Sequence, residues 1–150
     1  VHLTDFLTRS RVAVPLHAAD KDELLSALVQ LAVPDSVMHD ALCEEVRARE
    51  AVFPTALGDG VALPHVRTAN VESVQLAAGV LAKPLPFGGA DGNAVDLFFL
   101  VLSPLNAPSD HLKVLRALSR LLADPEVVTA LRTATSVDGF LHTVRQTAPF

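Results

Sequence analysis

Apolar residues recur at helical spacing in three stretches of the chain and crowd into short β-branched runs in four others. Leu24, Leu25, Leu28 and Leu31 share one face behind Asp20 and Glu23, which stand at capping-box spacing, so residues 21–33 are predicted as an amphipathic helix. After Pro34, Val37, Met38, Leu42 and Val46 line one face of "DSVMHDALCEEVRARE", predicting a second helix that ends near Arg49. Leu112, Leu115, Leu118, Leu121 and Leu122 form a stripe over 109–123, with Ser109 or Asp110 as the expected N-cap. Pro125 suits the first turn of a helix through Arg132, and Ser136 opens a last one through about Gln146.

The strand signals are "RVAVPL" (11–16), ended by Pro15, then "VALP" (61–64), "VQLAAGVL" (74–81) and "AVDLFFLVL" (94–102). "AKPLPFGGADGN" (82–93), dense in Pro and Gly, reads as a loop between the last two. Proline removes a ladder donor, so Pro64 is expected to mark where its strand leaves the sheet, with His65 at the sheet end. Helices and strands alternate without a regular βαβ series. The expected class is therefore α/β in the α+β sense: a mixed β-sheet flanked by helices on both sides.

A chain of 150 residues with 50% hydrophobic content suits one domain, 1–150, with its own core. The 12 basic residues are scattered against 17 acidic ones, for a formal charge of −5. That balance argues against nucleic acid or anionic membranes as partners. The longest apolar run, 95–102, is broken by Asp96 and falls far below the roughly 20 residues a membrane span needs. The opening "VHLTDFLTRSR" lacks the order of a secretory signal, and the single cysteine, Cys43, has no partner for an internal disulfide. A cytoplasmic setting is expected.

Two histidines stand out among six. His65 follows an apolar strand and a stiffening proline, and His111 falls in the first turn of a predicted helix, where unpaired N–H groups favour an anion such as phosphoryl. His2, His17, His39 and His142 are read as solvated surface side chains. Arg49 and Arg67 flank the same region and carry the donor fork that suits phosphate oxygens, though a solvated arginine is the commoner case. Thr55 offers a hydroxyl, but a loop threonine usually bonds its own backbone. Ligand spacing for zinc is weak, so no metal is expected. No G-x-S-x-G, P-loop or G-x-G-x-x-G occurs, and Cys43 reads as core.

Taken in order, "RE", five residues, "ALGDGVALPH", "PLPFGGADGNAVDLFFLVLSP" and "DHLKVLRALSRLLADPEV" resemble the EIIA domain of the phosphoenolpyruvate-dependent phosphotransferase system, in its fructose/mannitol and nitrogen-regulatory class (EIIA type-2). The resemblance covers nearly the whole chain. It implies the mannitol-specific EIIA-like fold and a phosphotransferase activity: His65 accepts a phosphoryl group from an HPr-type phosphocarrier and passes it to an EIIB component. The group derives from phosphoenolpyruvate, and no cofactor is implied. His111 matches the family's second histidine, Arg49 its arginine and Thr55 a threonine beside it; Arg67 is a further candidate support. A neutral imidazole is a nucleophile near neutral pH, and its reactive phosphoramidate hands the group on, so catalysis is mostly alignment and charge neutralisation.

The resemblance also implies an apolar rim around His65 that docks partners. Pro54, Ala56 and Val66 depart from the family's usual serine, glycine and small residue, and Val66 is expected to enlarge the apolar surface beside His65. Three roles follow: a carrier in sugar uptake, a nitrogen-branch regulator whose phosphorylation state controls binding to kinases, transporters or enzymes, and a fold kept only for interaction.

Overall fold

The computed structural model describes residues 1–34, 36–88, 92 and 94–150. After two 3-10 turns, Leu3–Asp5 and Arg9–Arg11, come strand β1 (Val12–Leu16) and helices α1 (Lys21–Ala32) and α2 (His39–Val52). Four short-to-long strands follow: β2 (Ala56–Gly58), β3 (Val61–Ala62), β4 (His65–Thr68) and β5 (Gln75–Pro86). Strand β6 (Ala94–Pro104) and helices α3 (Pro108–Leu122), α4 (Pro125–Arg132) and α5 (Val137–Arg145) complete the chain.

The sheet runs β1-β5-β6-β3-β2, with β4 also paired to β6. Strands β5 and β6 form its antiparallel centre, while β1, β3 and β4 join in parallel, so the sheet is mixed as expected. Period-2 alternation along β6 feeds two cores. Leu97, Phe99 and Val101 pack with α3, α4 and α5, whereas Phe98, Leu100 and Leu102 pack with α1 and α2. Helices therefore cover both faces. No helix among the described residues is long and apolar enough to cross a membrane.

Several sequence expectations shift. Strand β1 continues through Pro15, whose bond to Val14 is cis, because an edge strand tolerates a missing donor. The expected loop at 82–93 is partly strand: β5 extends to Pro86, with Leu85 opposite Val95. Residues 89–91 and 93 of that loop, and Asp35 before α2, lie outside the described residues. Val37 is 97% exposed in a turn ahead of α2 and takes no part in its apolar face. In α3 the buried stripe is His111, Val114, Ala117, Leu118 and Leu121, displaced by one position from the leucine count, and Leu112 is 52% exposed. Pro108 opens that helix after Ala107, and no side chain caps it, contrary to the roles expected for Ser109 and Asp110. His2 is not simply solvated: Nε2–H donates to the Thr147 carbonyl at 2.7 Å, and Nδ1 accepts from the Thr4 N–H. His39 is half-buried beside Cys43.

Candidate active site

Pro64 does not take the chain out of the sheet. Its carbonyl accepts from the Val101 N–H at 3.0 Å, and pairing resumes at once as β4, with His65 opposite Val101, Val66 opposite Leu102 and Arg67 opposite Ser103. Proline lacks a donor but keeps its acceptor, so the ladder from β6 needs nothing that Pro64 cannot give. His65 thus begins a strand, and its direction is set by register.

Partners in register point to the same side of a sheet. Val101 packs into the core beneath α3, so His65, Arg67 and Ser103 share the α3 face, the face that receives His111. The two imidazole rings lie 5.8 Å apart between centroids and are tilted by 46°. Val66 projects to the opposite face and packs with the α1 and α2 core, so it does not enlarge the surface beside His65 as expected.

A carbonyl can only accept, so the 2.8 Å contact between His65 Nδ1 and the Leu63 carbonyl places the proton on Nδ1. Nε2 then carries the lone pair. His111 is 7% exposed, and its Nδ1 meets the Ser103 hydroxyl at 2.6 Å. Burial, followed by the nearby charges of His65 and Arg67, lowers the His111 pKa from its ordinary 6.5, favouring a neutral ring.

Behind this pair runs a chain of hydrogen bonds that residue types did not reveal. Glu50 is 2% exposed, and its carboxylate accepts from the Thr55 N–H at 3.0 Å and the Thr55 hydroxyl at 2.6 Å and pairs with the Lys21 ammonium at 3.3 Å. The Thr55 carbonyl accepts from the Leu63 N–H at 3.0 Å, and the Leu63 carbonyl holds His65. Thr55 therefore supports the site through its backbone, its hydroxyl hydrogen being used by Glu50. The available signal was position: Glu50 continues the Leu42 and Val46 stripe, where a carboxylate must find partners. Ser103, alternating with Val101 on β6, was likewise missed.

The arginines are placed differently. Arg67 donates to the Leu105 carbonyl at 2.8 Å, and its positive charge helps to lower the pKa of His111. Arg49 lies in the last turn of α2, the layer behind β4, and donates to the Phe53 carbonyl at 3.0 Å. Among the described residues, no hydrogen bond joins Arg49 to either histidine. Phe53 and Leu105, whose carbonyls these arginines hold, and Leu112 beside His111 expose large apolar side chains. No cluster of three metal-ligating side chains occurs among the described residues.

The α/β/α sandwich is a fold shared with solved structures of known proteins. The family model of the phosphoenolpyruvate-dependent sugar phosphotransferase system, EIIA 2, matches residues 5–147, and the chain belongs to that family. It is 37% identical over 145 residues, 94% of this chain, to the 2-O-alpha-mannosyl-D-glycerate-specific EIIABC component of Escherichia coli, and it spans only 22% of that protein's length. It is 34% identical over 131 residues to a nitrogen regulatory protein of Bradyrhizobium diazoefficiens, covering 87% of this chain and 86% of the relative. The crystal structure of nitrogen regulatory protein IIA-Ntr from Neisseria meningitidis superposes with a TM-score of 0.88 at 29% identity, covering 95% of this chain and 98% of that one.

Proposed function

We propose that this chain is a phosphocarrier in which His65 Nε2 accepts a phosphoryl group from an HPr-type carrier and delivers it to an EIIB component. The observation that carries this reading is the Nδ1–H bond to the Leu63 carbonyl, which leaves Nε2 unprotonated on the face shared with His111. The Nε2 lone pair attacks phosphorus, the donor's N–P bond breaks, and its electron pair returns to the donor nitrogen. Nδ1 keeps its proton throughout. The positive charge that the ring gains is shared with the Leu63 carbonyl, and a protonated phosphoramidate is the better leaving form for onward transfer.

His111 donates to the phosphoryl oxygens, and Arg67 adds positive charge from the same face. Arg49 acts on the incoming partner from the far side of β4, where Phe53 is exposed. The apolar side chains of Phe53, Leu105 and Leu112 dock the partner proteins and exclude water from the phosphohistidine. The likeness to an EIIABC component supports delivery to an EIIB for sugar of the fructose/mannitol class. A nitrogen-branch regulatory role is the second reading, supported by the match to nitrogen regulatory proteins along most of their length, 86% and 95% in two of them. In that role the phosphorylation state of His65 governs binding to a target protein.

The test is phosphoryl transfer from phosphoenolpyruvate through enzyme I and HPr to the wild type and His65→Ala, read by intact mass. One acid-labile phosphoryl group on the wild type alone is expected. Labelling of His65→Ala at the wild-type level refutes the acceptor. Adding EIIB then separates the roles: loss of the label to an EIIB cysteine marks the sugar carrier, and retention with phosphorylation-dependent target binding marks the regulator.

A further inference from the structure

We propose that Ser103 is a positioning residue that fixes the tautomer of His111, so that His111 presents Nε2–H to the phosphoryl group; this rests on the reading of His65 as acceptor. Ser103 is fully buried, and its hydroxyl lies 2.6 Å from His111 Nδ1. Register makes the contact. Ser103 stands opposite Arg67 in the parallel β4–β6 pair, two residues past the partner of His65, and projects under α3 where His111 is held.

Two arrangements satisfy the 2.6 Å distance. In one, the Ser103 O–H donates to Nδ1; in the other, Nδ1–H donates to the serine oxygen. The second leaves the buried hydroxyl hydrogen with no acceptor among the described residues, and an unpaired buried donor is the costlier defect. The first satisfies both groups, because Nδ1 accepts the hydroxyl hydrogen and the ring proton moves to Nε2. Nε2 is the nitrogen with no protein partner among the described residues, on a ring whose centroid lies 5.8 Å from that of His65. His65 and His111 are thereby set in opposite tautomers. The Leu63 carbonyl exposes a lone pair on the nucleophile, and the Ser103 hydroxyl exposes a proton on the donor. An alanine at 103 leaves His111 to exchange between tautomers, one of which turns a second lone pair toward phosphoryl oxygens and repels them.

The experiment pairs long-range proton–nitrogen NMR of the imidazoles in the unphosphorylated protein with phosphoryl transfer from a phospho-HPr donor. Wild-type His111 is expected as the Nε2–H tautomer, and Ser103→Ala as a mixture of the two. Transfer to Ser103→Ala is expected to slow by about tenfold, the loss of one well-presented hydrogen bond, with the final phosphoryl content unchanged and Ser103→Thr restoring the rate. A purely structural serine moves neither the tautomer nor the rate at equal folded content. An Nδ1–H tautomer in the wild type, or the same tautomer in Ser103→Ala, overturns the assignment. A wild type that takes up no phosphoryl group refutes the acceptor reading instead, and the NMR result still decides what Ser103 does.

Discussion

Truncating Glu50 should be expensive out of proportion to its distance from His65. The side chain is 2% exposed, accepts two hydrogen bonds from Thr55 and forms an ion pair with Lys21. In Glu50→Ala the buried Thr55 N–H loses its acceptor, which costs about 1–3 kcal/mol, and the Thr55 hydroxyl loses a charge-assisted bond. Lys21 contributes less, because its partly exposed ammonium can hydrate and still donates to the Phe87 carbonyl at 3.3 Å. The sum is about 3 kcal/mol, the low end of what breaking a buried charged pair costs. Glu50→Gln keeps one acceptor oxygen but turns an amide N–H toward other donors, for about 2 kcal/mol. The chain has no Trp or Tyr, so urea unfolding is best followed by circular dichroism at constant slope. Lys21→Ala, the control, should cost under about 1 kcal/mol. A Glu50→Ala midpoint within about 1 kcal/mol of wild type, or a Lys21→Ala loss equal to it, refutes the reasoning that Glu50 anchors the 53–55 loop.

His111 sets a pH dependence with a definite sign. Its native pKa lies below the 6.5 of the unfolded chain, so the unfolded state binds more protons in between and stability rises with pH. That contribution is full above about 6.5 and is lost as pH falls toward the depressed native value; His111→Gln should flatten this part of the profile, and equal slopes in both proteins would count against a neutral buried His111. Cys43 is buried against α1, and burial raises its thiol pKa, so a disulfide reagent should react only on unfolding; full labelling of the native protein within minutes contradicts this.

Much of this protein was legible in its sequence. Three helices and the main strands follow from apolar periodicity, because a helix face and a strand face must each exclude water whatever they pack against, and Pro125 and Ser136 mark the starts of the last two helices. The resemblance carried by "ALGDGVALPH" and "DHLKVLRALSRLL" pointed to His65 and His111 together. The misses share one cause. Pro15 and Pro64 were read as strand ends because a local rule sees the missing N–H, whereas Pro15 falls in the register shift between the Ala13 and Leu16 pairs on β5 and Pro64 still gives its carbonyl to Val101 on β6. Val66 was assigned to the wrong side because a side chain's face depends on its register partner, Leu102, and that pairing spans 36 positions of chain.

The roles of Glu50 and Ser103 were likewise decided by tertiary structure. Nothing local tells a carboxylate on an apolar helix stripe that its partners are Thr55 and Lys21, or a serine in a hydrophobic strand that a histidine on α3 will meet it. The sequence by itself determined which residue types were available and where water would be excluded. Only the parallel register of β4 on β6 decided that His65, Arg67 and Ser103 face α3 together and that Ser103 meets His111, whereas the carbonyl that orients the His65 ring lies two residues back in the same segment. Side-chain direction alternates with each residue, so a site of this kind is fixed by long-range pairing rather than by any one segment.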